Sequence, residues 1–375
     1  MKTVKCKTPE GKTRYYLADE SGAPVQVVLN FLKFRDNQGL ARNTLRLNCY
    51  QLQSYFTYLA EAGTSFDQVS IDDLAEFMAW LRNPLMLTNL IQFSFEPAHK
   101  EQTINETIDT VINFYEYLAR SGEFENRLSE KLVKFVMNPG RHYKGFLYGI
   151  ADSHPVKSNV LRMPVPQREI RRISKEDTIS LLNACTNIRD YFLLYLLFET
   201  GMRIGEALSL WLEDFSIDDL TISITDRGEL ENLAEIKTVH SPRKIDCTQT
   251  LADLFVTYVC EIHTEEIDTN HIFVKLRGSN AGKAMDYSDV DNLFRTLRRK
   301  TGIELTPHVL RHTSLSLLYA DGWQPEYLRI RAGHKNIYTT LNTYIHPTEE
   351  ELTKEFEKAS PNLSRPEIPG KDGDR

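Results

Sequence analysis

The sequence predicts a multi-domain, mainly α protein: an N-terminal helical bundle, then an α+β domain with a small antiparallel three-stranded sheet. Three observations carry this prediction. The chain has 375 residues, more than the roughly 250–300 at which a single hydrophobic core stops growing. Apolar residues recur at helical spacing from Val25 to about Phe124 and again through much of the second half. The strand signals of that second half gather in one place, between Leu220 and Cys247.

Residues 1–22 hold short alternating segments ending at Gly22, which read as an N-terminal arm or small strand. Residues 23–125 read as a bundle of about four helices. The runs are Val28, Leu29, Phe31 and Leu32; then Tyr50, Leu52, Tyr55, Phe56 and Leu59; then Leu74, Phe77, Met78 and Leu81; then Ile108, Val111, Ile112 and Tyr115. Gly63, Asn83-Pro84 and Gly122 punctuate them. Residues 126–172 lose the periodicity and carry prolines and glycines among Arg141, Lys144, Lys157, Arg162, Arg168, Arg171 and Arg172. Such a stretch reads as a basic linker that joins two domains or crosses the surface of a polyanion such as DNA.

The second domain, residues 173–359, opens on Ser174-Lys-Glu-Asp177, a capping-box-like helix start. A very apolar helix from Asp190 to Thr200 ends at Gly201, and Ile204 to Trp211 reads as another helix. The strand candidates are Leu220–Thr225, Leu233–Val239 and Arg243–Cys247, the last two joined by a His240-Ser-Pro turn. Helices follow over Leu251–Ile262, Asp289–Lys300, His308–Ala320, Pro325–Ala332 and Thr339–Tyr344, and residues 360–375 read as a flexible tail. There is no internal repeat.

Composition narrows the function classes. With 41% hydrophobic and 26% charged residues the chain reads as an ordinary globular protein. No apolar run approaches the ~20 residues of a membrane span, and the segment Met1 to Tyr16 lacks a signal-peptide core. Five scattered cysteines without a CxxC pair argue against disulfides and zinc fingers, and fit a cytoplasmic protein. The net charge of −7 opposes a nucleic-acid partner. Its distribution weakens that objection, because acid concentrates in Glu213 to Glu235 and Glu349 to Glu357 while residues 131–175 are basic.

Four segments could carry chemistry. In Glu199-Thr-Gly-Met-Arg203-Ile-Gly-Glu206 a glycine turn aims Arg203 from a helix start, where a guanidinium can fork onto a phosphate; the plainer reading is an i,i+3 surface ion pair with Glu206. In the second, Lys237 precedes a hairpin turn and Arg243 and Lys244 follow it, so Lys237 can donate a proton to a leaving oxygen or merely keep an edge soluble. In Pro307-His308-Val-Leu-Arg311-His312, His308 and Arg311 share a helix face. His308 and His312 also have the spacing of a zinc pair, although Val309 stands where HExxH has Glu. In Gly333-His334 through Tyr344-Ile-His346, a tyrosine follows a histidine; singly it reads as a packing residue.

In this order and spacing the four segments resemble the catalytic domain of the tyrosine recombinases, the phage-integrase family. The match spans about residues 174–350: the TGxRxxE turn at Thr200–Glu206, the KT-turn-R hairpin at Lys237, Thr238 and Arg243, the HxLRH helix at His308–His312, and the GH and Y-x-H elements at Gly333-His334 and Tyr344–His346. Two positions depart from the pattern. The nucleophile usually lies nine positions after the late histidine, whereas Tyr344 lies ten after His334, which makes Tyr338 the fallback, since Thr343 has no phenol. Ala332 stands where the family more often has Leu.

The resemblance implies DNA breakage and rejoining, with Tyr344 as nucleophile, Arg203, His308, Arg311 and His334 around the phosphate, Lys237 as proton donor and Glu206 in support. It makes residues 23–125 a DNA-clamping, core-binding domain, and Arg141, Lys144, Arg171, Arg172, Arg243 and Lys244 candidate DNA contacts. It implies no cofactor and no metal. The implied partners are double-stranded recombination sites, bound as a homotetramer with accessory DNA-bending or directionality proteins, for integration or excision of a mobile element in the cytoplasm at the nucleoid. Two alternatives stay open: a DNA-binding relative without catalysis, and a zinc hydrolase using His308 and His312.

Overall fold

The computed structural model describes residues 1–84, 97–122, 128, 133–136, 156–166, 171–236, 241–335 and 340. It divides into two units, Met1–Gln167 and Arg168–Arg375.

The first unit is built on apolar stripes at helical spacing. Its helices are α1 (Gln26–Asn37), α2 (Arg42–Ala62), α3 (Ile71–Arg82) and α4 (Glu101–Ser121). Ser70 and Asp73 close a reciprocal capping box at the start of α3, while Gly63 and Gly122 end α2 and α4 in the left-handed region. Phe31, Phe56, Phe77 and Phe114 interlock in the core. The buried hydroxyls of Tyr55 and Tyr115 meet at 2.6 Å, and Tyr115 donates onward to the Phe66 carbonyl at 2.7 Å, so both phenols are satisfied where water is absent.

Residues 1–22, expected as an arm, form a hairpin of β1 (Lys2–Lys7) and β2 (Thr13–Ala18), paired from Lys2 with Ala18 to Lys7 with Thr13. Alternation drives Leu17, which is 0% exposed, into the bundle core beside Val28 and Leu52. The described part of the expected linker is structured as well. Strands β3 (Val133–Val136) and β4 (Val156–Asn159) pair antiparallel. Beyond them the Asn105 side chain clamps the Met163 backbone through two 2.9 Å bonds, and Leu161 and Met163 pack on the bundle. A basic, proline-rich composition concealed these apolar anchors.

In the second unit the helices are α5 (Lys175–Asn183), α6 (Ile188–Thr200), α7 (Ile204–Leu208), α8 (Gln249–Ile262), α9 (Tyr287–Thr301), α10 (Pro307–Ala320) and α11 (Pro325–Ala332). Ser174 and Asp177 form the capping box that the sequence suggested for α5. Helix α6 runs through the core with Phe192, Leu193, Leu196 and Leu197 at 0% exposure, which is why its sequence is apolar nearly all round.

The antiparallel sheet has three strands in the order β5 (Phe215–Ser216), β6 (Thr221–Ile224), β7 (Arg243–Asp246). One member differs from expectation. Among the described residues of the candidate Leu233–Val239, 233–236 belong to no strand, and Phe215–Ser216 supplies the third. The reason is local: the buried Asn232 amide donates to the Leu208 and Met285 carbonyls at 2.9 Å each, and Leu233 takes a left-handed φ of 59°. That pinned turn overrides a β-compatible composition.

Replacing Leu17 by Ala removes a buried side chain from the first unit and should lower its stability by about 2–5 kcal/mol in urea unfolding; a free arm would register no change.

Candidate active site

Gly201 ends α6 with φ +64°, and a Cβ there would meet Ser314 Oγ at 3.1 Å and Leu315 Cγ at 3.2 Å, so any other residue between α6 and α10 would be both strained and crowded. That turn delivers Arg203 to the N-cap of α7 and Glu206 to its first turn. Glu206 is 1% exposed. It accepts from the Arg203 backbone N–H at 2.8 Å and from Arg203 Nη1 at 2.9 Å. It also accepts a two-pronged fork from Arg243 at 3.0 Å on each oxygen. The surface ion pair that the sequence allowed is therefore a buried one.

Arg243 needs correction as a candidate DNA contact. Its side chain is 6% exposed, and besides Glu206 it donates from Nε to the Arg331 carbonyl at 2.7 Å and from Nη1 to the Ser241 carbonyl at 2.7 Å. Strand alternation turns Arg243 inward and leaves Lys244 exposed.

Arg311 lies on α10, 2% exposed. Its Nη1 donates to the Gly201 carbonyl at 2.7 Å, and its Nη2 to the Ala332 carbonyl at 2.6 Å and to His334 Nε2 at 3.0 Å. Gly333, left-handed at φ 62°, closes α11 and swings His334 back over that helix, where its N–H reaches the Arg329 carbonyl at 3.0 Å. Arg203 Nη2 reaches the Gly333 carbonyl at 3.3 Å. Arg203, Glu206, Arg243, Arg311 and His334 thus form one bonded cluster. His308 lies one turn before Arg311, edge-on to His312 with ring centroids 4.2 Å apart. The Ile173 N–H donates to Thr313 Oγ1 at 3.1 Å and ties the exposed Arg171 and Arg172 to α10. Lys237, Tyr338, Tyr344, Arg141 and Lys144 lie outside the described residues.

The comparisons with known proteins agree with this arrangement. The phage integrase family matches residues 168–351, and the N-terminal SAM-like domain of phage integrases matches residues 30–122. Transposase A from transposon Tn554 of Staphylococcus aureus is 34% identical over 345 residues, covering 92% of this chain and 93% of that protein. The chain belongs to the phage integrase family of tyrosine recombinases. It is a site-specific recombinase, an enzyme that breaks and rejoins DNA. Tyrosine recombinase XerA of Saccharolobus solfataricus is 28% identical over 212 residues, 54% of this chain and 62% of that protein. Among solved structures, the Tn1549 transposon integrase with circular intermediate DNA shares the fold at a TM-score of 0.60 and 17% identity, covering 88% of this chain and 98% of that one. A lambda integrase dimer bound to a core site does so at 0.55 and 12%, covering 85% and 94%.

The electrostatics of the recombinase site follow from burying three guanidinium groups around one carboxylate. Burial works to raise the Glu206 pKa, but the Arg243 hydrogen bonds and charge, with Arg311 and Arg203 behind them, outweigh it and hold the group below its ordinary 4.5. Burial, and then the positive charge of Arg311, Arg203 and Arg243, push His334 down to about 3. Burial and the neighbouring His308, Arg311 and Arg172 push His312 down to about 4. Both rings are neutral near pH 7. No group of three or more His, Cys, Asp or Glu residues among the described residues could hold a metal ion.

Sequence reading missed one member of the cluster and the setting of another. Arg243 was named through the KT-turn-R pattern, but as a DNA contact and not as the partner of Glu206. Thr340 contributes a hydroxyl to His334 Nδ1 at 3.0 Å, and nothing in a polar run of residues signalled it.

Arg243→Gln leaves the buried Glu206 short of its main partner and should cost the second unit about 3–5 kcal/mol near neutral pH. Because the folded pKa of Glu206 is depressed, the stabilisation is fully present above its unfolded value of 4.5 and is lost as pH falls through the folded value. The gap between wild type and variant should therefore be widest above pH 4.5 and close on acidification, as read by denaturant unfolding across a pH series.

Proposed function

We propose that the recombinase cleaves through the Tyr344 phenol, which attacks the scissile phosphate in line to give a 3′-phosphotyrosyl bond and a free 5′-hydroxyl. A 5′-hydroxyl from a second strand then reverses the step. The phosphodiester energy is retained in the phosphotyrosyl bond, so no ATP is consumed. The observation that carries this reading is the convergence of Arg203 and Arg311 at the end of α11 on His334, which lies ten residues before Tyr344.

Arg203 and Arg311 donate to the non-bridging oxygens, and their positive charge stabilises the pentavalent transition state. Glu206 orients Arg203. His334 enters uncharged, and a phosphate that engages Arg311 releases the Nε2 lone pair to accept the phenolic proton. His308 hydrogen-bonds the phosphate, and Lys237 protonates the leaving 5′-oxygen. Residues 23–125 clamp the far side of the duplex, with Arg141, Lys144, Arg171, Arg172 and Lys244 on the backbone.

The substrates are double-stranded recombination sites, and the working assembly is a homotetramer helped by DNA-bending or directionality proteins. The likeness to a transposon transposase over 92% of the chain supports integration or excision of a mobile element. The described residues contain no helix long and apolar enough to cross a membrane, and the enzyme acts in the cytoplasm at the nucleoid.

The test is a nicked suicide duplex built on DNA selected by binding to the protein. Wild type should give an SDS-resistant adduct, Tyr344→Phe none while still binding DNA, and Tyr338→Phe an undiminished yield. Adducts that persist in Tyr344→Phe and vanish in Tyr338→Phe would move the nucleophile. Wild type without adducts would favour the non-catalytic reading, and loss of activity in EDTA the zinc one.

A further inference from the structure

We infer that Thr340 is a positioning residue for His334: its hydroxyl accepts the Nδ1–H and so fixes the imidazole in the tautomer whose Nε2 lone pair faces Arg311 and the phosphate site. The inference rests on the proposed roles of His334 and Tyr344 and adds how the histidine is set.

The tautomer follows from what each partner can do. A guanidinium has only donors, so the 3.0 Å contact between Arg311 Nη2 and His334 Nε2 requires a lone pair on Nε2. A neutral imidazole carries its proton on one nitrogen, which puts it on Nδ1. The atom 3.0 Å from Nδ1 is Thr340 Oγ1, and a hydroxyl can accept. Thr340 is 0% exposed and His334 9%, so neither nitrogen can exchange its partner for bulk water. The other tautomer would set an N–H against the Arg311 donors and leave a lone pair toward the hydroxyl, and a ring flip would turn carbon-bound hydrogens to both partners.

The chemical identity of the Nδ1 partner also matters. Among the described residues, the charged groups that bear on His334 include Arg311 from α10, Arg203 and Glu206 from α7 and Arg243 from β7; the Arg329 guanidinium donates to the His334 carbonyl at 3.1 Å. Glu206 is the sole acid of these and is itself bonded to Arg203 and Arg243. A carboxylate on Nδ1 would stabilise the imidazolium. A threonine hydroxyl holds the ring without charging it, which keeps Nε2 available as a proton acceptor. Thr340 also lies six residues after His334 and four before Tyr344 in the sequence.

Two substitutions separate this role from packing. Thr340→Val keeps the shape and removes the hydroxyl; Thr340→Ser keeps the hydroxyl and removes a methyl. Single-turnover cleavage of the suicide duplex by the full chain should be on the order of 10- to 100-fold slower in Thr340→Val and within about twofold of wild type in Thr340→Ser, with duplex binding unchanged in both. Wild-type rates in Thr340→Val, or equal losses in both variants, would overturn the inference. Tyr344→Phe run alongside separates the two levels: adducts in that variant break the underlying reading, whereas none in it and normal cleavage in Thr340→Val break this one alone.

Discussion

The catalytic unit depends on one buried carboxylate. Glu206 is surrounded by protein, and an ion in that position is tolerable only when its lone pairs are fully engaged. It engages them with two guanidinium groups from different elements: Arg203 from the turn after α6, and Arg243 from β7. Each tie carries a further obligation. Arg243 extends to the Arg331 carbonyl and draws the sheet onto α11, while Arg203 reaches the Gly333 carbonyl on the same helix end. The sheet, α7 and α11 are thereby referenced to one charge.

The cluster holds more positive charge than negative. Three arginines face a single glutamate, and the balance is met by backbone carbonyls at helix C-termini: Gly201 at the end of α6, Ala332 and Gly333 at the end of α11. Those carbonyls have no partner within their own helices and carry the negative end of the dipole, so guanidinium donors suit them. Excess positive charge held in place before an anion arrives is what a phosphoryl transition state requires, because little reorganisation is left to do at the moment of reaction.

Much of this was legible in the sequence because the decisive residues sit where local rules are strict. Gly201 and Gly333 mark helix ends, Pro307 a helix start, and the Thr200–Glu206 and His308–His312 spacings place side chains relative to those ends. What escaped was set by tertiary contact. The KT-turn-R pattern marked Arg243 but not the Glu206 carboxylate that it grips, and Thr340 has no local reason to be buried. The third strand was misplaced because the side-chain bonds of Asn232 override strand propensity. The hairpin at residues 1–22 read as an arm because its ties to the bundle, Leu17 in the core and Tyr15 against it, Thr3 on Gln53 and Arg14 on Asp36, are all tertiary.

The arginine contacts at helix ends also limit where the chain can change length. One residue inserted into α6 or α11 would turn its final carbonyl by about 100° and shift it about 1.5 Å along the axis, away from Arg311. A change of length in either helix would therefore displace a carbonyl that Arg311 uses. The one-residue difference from the family's usual spacing between His334 and Tyr344 falls outside both helices.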